Sequence, residues 1–369
     1  KKVCNFIKPF KWKEFTLDKG PQFFDNFSIS DWNLMNELLD DDLFCDLGFK
    51  YASYTNEKIN TDFAIPTWDE DKTLEADQIF ENLLKVRKEK KTNFKNFDEY
   101  LKYDGGDYLY PHLSKICKKM LQTEPKNASE IVTGIETFTG RKKLFDHDKS
   151  MELKKDSFID GILAAKKKYV GETFYNLYAK SGDLEVIRNA IEISLNRLNV
   201  SMFLEKKIIS IDLKNMNILL EDKETISFNK IIFADSIQNT EKLLFNTNKI
   251  ESRTFNLPET FYFLEVPKKQ IPSFNYVMNY SLDHISSRLT NFGNYTFPKD
   301  NLNGIICIEV PTQVDSEIWK KNESYVAKII NEMNKIYDEK IEVTSYLSVN
   351  VNSTYKVPLV GYEHEVSNL

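Results

Sequence analysis

The stretch that most constrains the fold runs from Tyr178 to Asp235, because its hydrophobic period changes partway along. From Leu184 the apolar residues Leu184, Ile187, Ile191, Leu195 and Leu198 recur at intervals of three and four, which lines one face of an amphipathic helix. Gly182 precedes that helix, and Ser181 or Asp183 can cap it. After Asn199 the period becomes two: Val200 to Leu204, then Ile209, Ile211 and Leu213 between polar residues, then Ile218 to Leu220, then Ile226 and Phe228. The unit closes on Ile231, Ile232, Phe233 and Ala234, an unbroken apolar run expected as a strand covered on both faces in a parallel sheet. A helix, short strands and a buried return strand together make an α/β unit.

Such a unit needs a core around it, and the composition supplies one. The chain has 369 residues, 41% hydrophobic and 13% aromatic, enough material for more than one core. A net charge of −6 with Lys and Glu interspersed gives no basic face to collect phosphates, so nucleic acid is not an expected partner. No apolar run reaches the roughly 18–20 residues that a membrane span requires. Residues 1–10 lack the uninterrupted apolar stretch of a signal peptide. Cys4, Cys45, Cys117 and Cys307 are scattered without metal-ligand spacing, and no two His stand at i and i+4. The expectation is a cytoplasmic protein with reduced thiols and no metal.

Ahead of the central unit, Trp12 to Leu17 reads as a strand that runs into Asp18, Lys19, Gly20, Pro21 and Gln22. Gly20 lacks a side chain and Pro21 fixes its own φ, so this turn either brings backbone close to a flat ligand or is a plain hairpin exit. From Asp25 to about Val170 the pattern is mostly helical, with an apolar stripe at Ile79, Phe80, Leu83 and Leu84. Beyond Asp235, Phe261 to Val266, Asn275 to Asn279 and Ile305 to Val310 read as strands of a mixed sheet. Residues 316–337 read as an amphipathic helix through Trp319, Val326, Ile330, Met333 and Tyr337 that covers this sheet.

The order of these segments resembles the flavin-binding amine oxidase and protoporphyrinogen oxidase group, which includes proteins like UDP-galactopyranose mutase. Tyr178, Ala179, Lys180, Ser181 and Gly182 stand where that group has a Tyr-Pro-Lys-Gly-Gly-like turn. Ile208 stands where a β-branched residue meets the FAD adenine through its main chain. Phe15 to Phe24 looks like the group's Asp-x-Gly-Pro-His-x-Phe segment, with Gln22 in place of His. Gly106, Tyr108, Lys115 and Pro125 match the small, aromatic, basic and proline positions of a segment that crosses the substrate side. Asp283, Arg288 with Leu289, and Glu309 match an acidic turn, an Arg–aliphatic pair and a strand ending on Glu. Tyr355 to Glu363 resembles the stretch before the group's last flavin-contacting segment.

What the resemblance implies is an α/β protein, an incomplete FAD-binding Rossmann-like domain interleaved with a mixed α+β substrate lobe. Residues 1–25, 171–236 and 351–369 then belong to the FAD domain, 26–170 to a mainly helical substrate lobe, and 237–350 to the mixed sheet and helix of that lobe. Gly20, Pro21, Gln22, Gly182, Ile208 and Ala234 are placed at the cofactor, and Tyr108, Tyr178 and Arg288 at a small-molecule substrate. Tyr108 is read as a pocket wall or as a buried structural tyrosine. Arg288 is read as a two-pronged clamp on a carboxylate or phosphate, or as an internally paired residue. The implied activity is oxidation of a small molecule by hydride transfer to flavin. The alternatives are a nucleotide-sugar mutase, which needs several converging Arg where Arg141 and Arg288 stand nearly alone, and a non-catalytic remnant. None of the twelve glycines forms G-x-G-x-x-G, and the last flavin-contacting segment has no counterpart. The expectation is therefore a fragment of a longer enzyme that binds FAD weakly or not at all by itself. No catalytic acid, base or nucleophile stands out, and the sequence fixes neither the substrate nor the oligomeric state.

Overall fold

The computed structural model describes residues 9–20, 23–39, 43–48, 50–61, 73–134, 142–165, 175–295 and 302–369. First in chain order come β1 (Phe10–Trp12), β2 (Phe15–Leu17), β3 (Phe24–Phe27), α1 (Ile29–Leu38), β4 (Phe44–Asp46), β5 (Tyr51–Thr55) and β6 (Lys58–Asn60). A helical region follows with α2 (Thr73–Arg87), α3 (Phe97–Leu121), α4 (His147–Leu153) and α5 (Ser157–Asp160). β7 (Tyr175–Ala179) and α6 (Glu185–Arg197) lead into β8 (Ile208–Asp212), β9 (Asn217–Leu220) and β10 (Thr225–Ser227). After α7 (Ile237–Phe245) and α8 (Lys249–Ser252) come β11 (Thr254–Pro267), β12 (Tyr276–Asn279), β13 (Arg288–Asn291) and β14 (Asn303–Pro311). The remaining elements are α9 (Glu317–Lys320), α10 (Val326–Tyr337), β15 (Ser345–Pro358) and α11 (Tyr362–Ser367).

Seven strands, in the order β15-β11-β14-β13-β12-β5-β6, build the main sheet. Because side chains alternate along a strand, β11 and β14 feed two cores at once. Phe261, Phe263, Ile305 and Cys307 enter one core, and Tyr262, Leu264, Ile306 and Ile308 enter another on the opposite face. The second face is covered by α10, whose Val326, Ile329, Met333 and Ile336 are buried, as the apolar stripe in residues 316–337 leads one to expect. The first face is covered by the β1–β2 hairpin, by the three-stranded sheet β3-β7-β4 and by α6. A third core gathers Ile79 and Leu83 of α2, Leu101, Leu113 and Ile116 of α3, and Val357 of β15. The main sheet is mixed because β5 runs parallel to β12, with Tyr51 opposite Tyr276. Every other strand pair among the described residues is antiparallel.

The central unit departs from its expected form in two places. Ile231 to Ala234 lies outside any strand, with Ile232 92% exposed and Phe233 38% exposed. An apolar run is buried in a parallel sheet only when strands flank both its edges, and no described strand pairs with this one. Val200 to Leu204 is likewise outside any strand, and β8, β9 and β10 form a separate antiparallel meander. The helix does form as its period requires: Asp183 Oδ1 accepts the Glu185 N–H at 2.8 Å at its start, and Leu184 and Ile187 are buried. Trp12 to Leu17 is not one strand but a hairpin, which turns at Lys13 with φ +53°. Residues 26–170 contain the end of β3 and all of β4 to β6 besides their helices, and β5 with β6 completes the main sheet. No helix among the described residues is long and apolar enough to cross a membrane.

Candidate functional site

Alternation along β2 buries Phe15 and Leu17 and delivers the next residue, Asp18, to the base of a turn where it is only 5% exposed. The turn then reverses at Gly20, whose φ of +82° lies in the left-handed region open to glycine. A Cβ on Gly20 would stand 3.2 Å from Glu309 Oε1 and 3.3 Å from Arg288 Nη2, so the turn backbone rests directly on these two side chains. Arg288 and Glu309 are partners in the β13–β14 register and therefore share a face. Arg288 donates from Nε to Glu309 Oε1 at 2.8 Å and from Nη2 to Oε2 at 2.6 Å, a bidentate ion pair. Burial opposes the Arg288 charge, but the Glu309 carboxylate outweighs it and holds the guanidinium protonated.

Two further carboxyls adjoin this pair. Glu259 of β11 has the strand parity of Phe261, which is the register partner of Glu309. Burial, and then the Glu309 charge, push its pKa up to about 8. Asp18 is pushed up to about 7 by burial, against a hydrogen bond that Tyr178 donates from its hydroxyl to Oδ2 at 2.8 Å. The charge of Asp183, in the turn just after Gly182, adds to the rise. Tyr178 comes from β7 and packs edge-on against Tyr295 with ring centroids 5.1 Å apart. The buried oxygens Glu259 Oε2, Tyr295 OH and Thr290 Oγ1 have no hydrogen-bond partner among the described residues. Thr290 faces Cys307 in the β13–β14 register, so it lies on the same face as Arg288 and Glu309. At one face of the main sheet thus meet an ion pair, Glu259 and, from the β2 turn, Asp18, two carboxyls with raised pKa, together with two packed tyrosines and three unpartnered oxygens.

Of the residues singled out from the sequence, Gly20, Tyr178 and Arg288 meet here, and Glu309 resolves Arg288 as internally paired. Gly182, buried with φ +73°, forms the adjoining turn that presents Asp183. Pro21 and Gln22 lie outside the described residues, as does Arg141. Ile208 and Ala234 are surface residues: Ile208 is 37% exposed on β8, and Ala234 is exposed in the unpaired run. Tyr108 is 57% exposed on α3, neither a pocket wall nor a buried structural ring. Asp283 is an exposed turn residue. The sequence reading missed Asp18, Glu259 and Tyr295 as members of the cluster. A signal for Glu259 was present, since it stands two residues before Phe261 at the head of a strongly apolar strand.

No protein-family model and no curated protein matches the sequence. Among solved structures, the chain is similar to a reduced UDP-galactopyranose mutase with a TM-score of 0.66 at 13% identity, over 98% of this chain and 78% of that one. It is similar to a protoporphyrinogen oxidase-like protein from Exiguobacterium sp. with a TM-score of 0.58 at 12% identity, over 98% and 81% of the two chains. A putrescine oxidase variant gives a TM-score of 0.57 at 10% identity, over 98% and 81%. At these identities the shared property is the fold.

Proposed function

We propose that this chain, which has the fold of the FAD amine oxidase and UDP-galactopyranose mutase group, is an FAD-dependent oxidoreductase acting on a small molecule at the Asp18–Gly20 turn. The observation that carries the reading is the Gly20 backbone laid on the Arg288–Glu309 pair beside unpartnered oxygens of Glu259, Tyr295 and Thr290. Buried polar atoms without partners are uncommon and costly, and here three of them gather beside one turn backbone.

FAD, when bound, supplies the hydride acceptor. In this reading the protein holds the ring end of the cofactor on the turn and manages protons around it. Glu259, pushed up to about 8, keeps its proton at neutral pH, and Asp18, pushed up to about 7, stands poised to hold or release one beside the Tyr178 hydroxyl. Arg288 contributes a fixed charge, because its Nε–Nη2 edge is taken by Glu309. That engagement weighs against a sugar-nucleotide mutase, which needs several cations open to a diphosphate. The phosphate end of FAD finds no such support among the described residues: no G-x-G-x-x-G is present, and Ile208 and Ala234 are exposed. The chain by itself is accordingly expected to hold FAD weakly or not at all. The test is the visible spectrum of the protein purified from its full native reading frame. An absorption band of oxidised flavin that bleaches on reduction is expected, and a protein that stays colourless with added FAD would sink the reading.

A further inference from the structure

On the last turns of α3, Lys115, Lys118, Lys119 and Gln122 stand at i, i+3, i+4 and i+7, so they share one face of the helix. With Thr123, and with Gln313 beyond β14, they line a cavity of about 500 Å³, the size of a small-molecule site. Of its three lysines, Lys118 pairs with Glu124 and Lys115 is exposed. Lys119 is largely buried, and its Nζ donates to the carbonyl oxygens of Asn279 at 3.1 Å and Ser281 at 2.7 Å. Both acceptors are neutral. The charge that supports its ammonium is that of Glu332 on α10, which is committed elsewhere: Oε1 accepts the Ile285 N–H at 3.0 Å, and Oε2 accepts the Ser286 N–H at 3.0 Å and its hydroxyl at 2.8 Å. Burial pushes the pKa of His284, in the same turn, below its ordinary value, so that ring adds no charge near pH 7. Burial also prevails at Lys119 and pushes its pKa down to about 7 against the Glu332 charge. A large share of the molecules therefore carries a free amine at neutral pH, and its lone pair is of no use to the two carbonyls, which only accept.

We propose that Lys119 is a nucleophile that forms a Schiff base, within this cavity, with a small aldehyde bearing an anionic group. The amine lone pair adds to the carbonyl carbon, and a proton passes from nitrogen to the former carbonyl oxygen. That oxygen then leaves as water with the second nitrogen proton, and a C=N bond replaces the C=O. No oxidant or reductant is consumed. Lys115, on the exposed side of the same cavity, supplies the charge that draws in the anionic group. The inference does not depend on whether the Gly20 turn takes a flavin.

The test treats the folded 369-residue chain with glyoxylate and cyanoborohydride and reads the carboxymethyl group left on each lysine by peptide mass spectrometry. At pH 7 Lys119 is expected to be labelled at least about tenfold faster than Lys115 or Lys118, because ordinary lysines are almost wholly protonated there. Its rate should level off above about pH 8 while that of Lys115 still climbs, and its advantage should vanish in urea. Lys115→Ala should slow the labelling of Lys119 by glyoxylate several-fold and leave its labelling by acetaldehyde unchanged. Equal rates at the three lysines, an unlabelled Lys119 or an advantage that survives unfolding would overturn the proposal. An equal effect of Lys115→Ala on both aldehydes would overturn the anionic group.

Discussion

Asp18 is an acid whose surroundings resist its charge, and this couples the candidate site to pH. Its folded pKa of about 7 lies above the ordinary value of 3.8, so between these limits the folded state binds more protons than the unfolded one. Its contribution to stability is complete below about pH 4 and is lost as pH rises through about 7. Asp18→Asn keeps an acceptor for the Tyr178 hydroxyl and removes the titration. The variant should lose a drop in stability on the order of a few kcal/mol between those limits. Glu259 leaves a residual slope reaching to about pH 8. Melting temperatures recorded from pH 4 to 8 check this, and an unchanged profile would refute the assignment. Glu309→Gln removes the counter-charge from a largely buried guanidinium and should cost about 3–5 kcal/mol in urea unfolding. Glu317→Gln, at an exposed helical pair, should change stability by no more than about 0.5 kcal/mol. At this scale the sequence showed Gly20, Tyr178, Arg288 and Glu309, because turn chemistry and fork geometry are properties of residue type. It did not reveal the roles of Asp18, Glu259 and Tyr295, because these come from side-chain contacts and a strand register that join residues far apart in the chain.

Within single elements, local period predicted well where a covering partner exists. The stripe in 184–198 became α6 with Leu184 and Ile187 inward but Leu198 60% exposed, and the one in 316–337 became α9, a 3-10 turn over Asn322–Tyr325 and α10, with Val326 and Met333 inward. The run Ile231–Ala234 shows the limit of such reasoning, since apolar composition states what a segment would bury but not whether neighbours are there to bury it. Helix α3 breaks at one residue: Gly106 adopts φ +58° and ψ −170°, a conformation essentially confined to glycine. A Cβ there would fall 2.3 Å from Asn82 Oδ1, the atom that accepts the Asp107 N–H at 2.9 Å. Gly106→Ala should therefore destabilise the packing of α2 on α3 by about 2–3 kcal/mol, measured by urea unfolding. A neutral result would show that the kink is not required.

For the molecule as a whole, the α/β class and the mixed sheet were legible from the alternation of periods, whereas the path of the chain through the sheet was not. β5 lies beside β12 although more than two hundred residues separate them, and nothing in either strand announces the other. Such distant pairings slow folding, because loop closure is paid for before the contacts form. The position of β11 extends this to synthesis. It is fourteen residues long, it is hydrogen-bonded by β14 on one edge and β15 on the other, and both partners are translated after it. At ribosomal speeds of roughly 5–20 residues per second, the Phe-Tyr-Phe-Leu stretch of β11 emerges several seconds before β15 exists to close its second edge. During that interval the nascent chain offers a chaperone one well-defined sticky strand, and synonymous codons that slow translation between β11 and β15 should lower the soluble yield without changing a single amino acid.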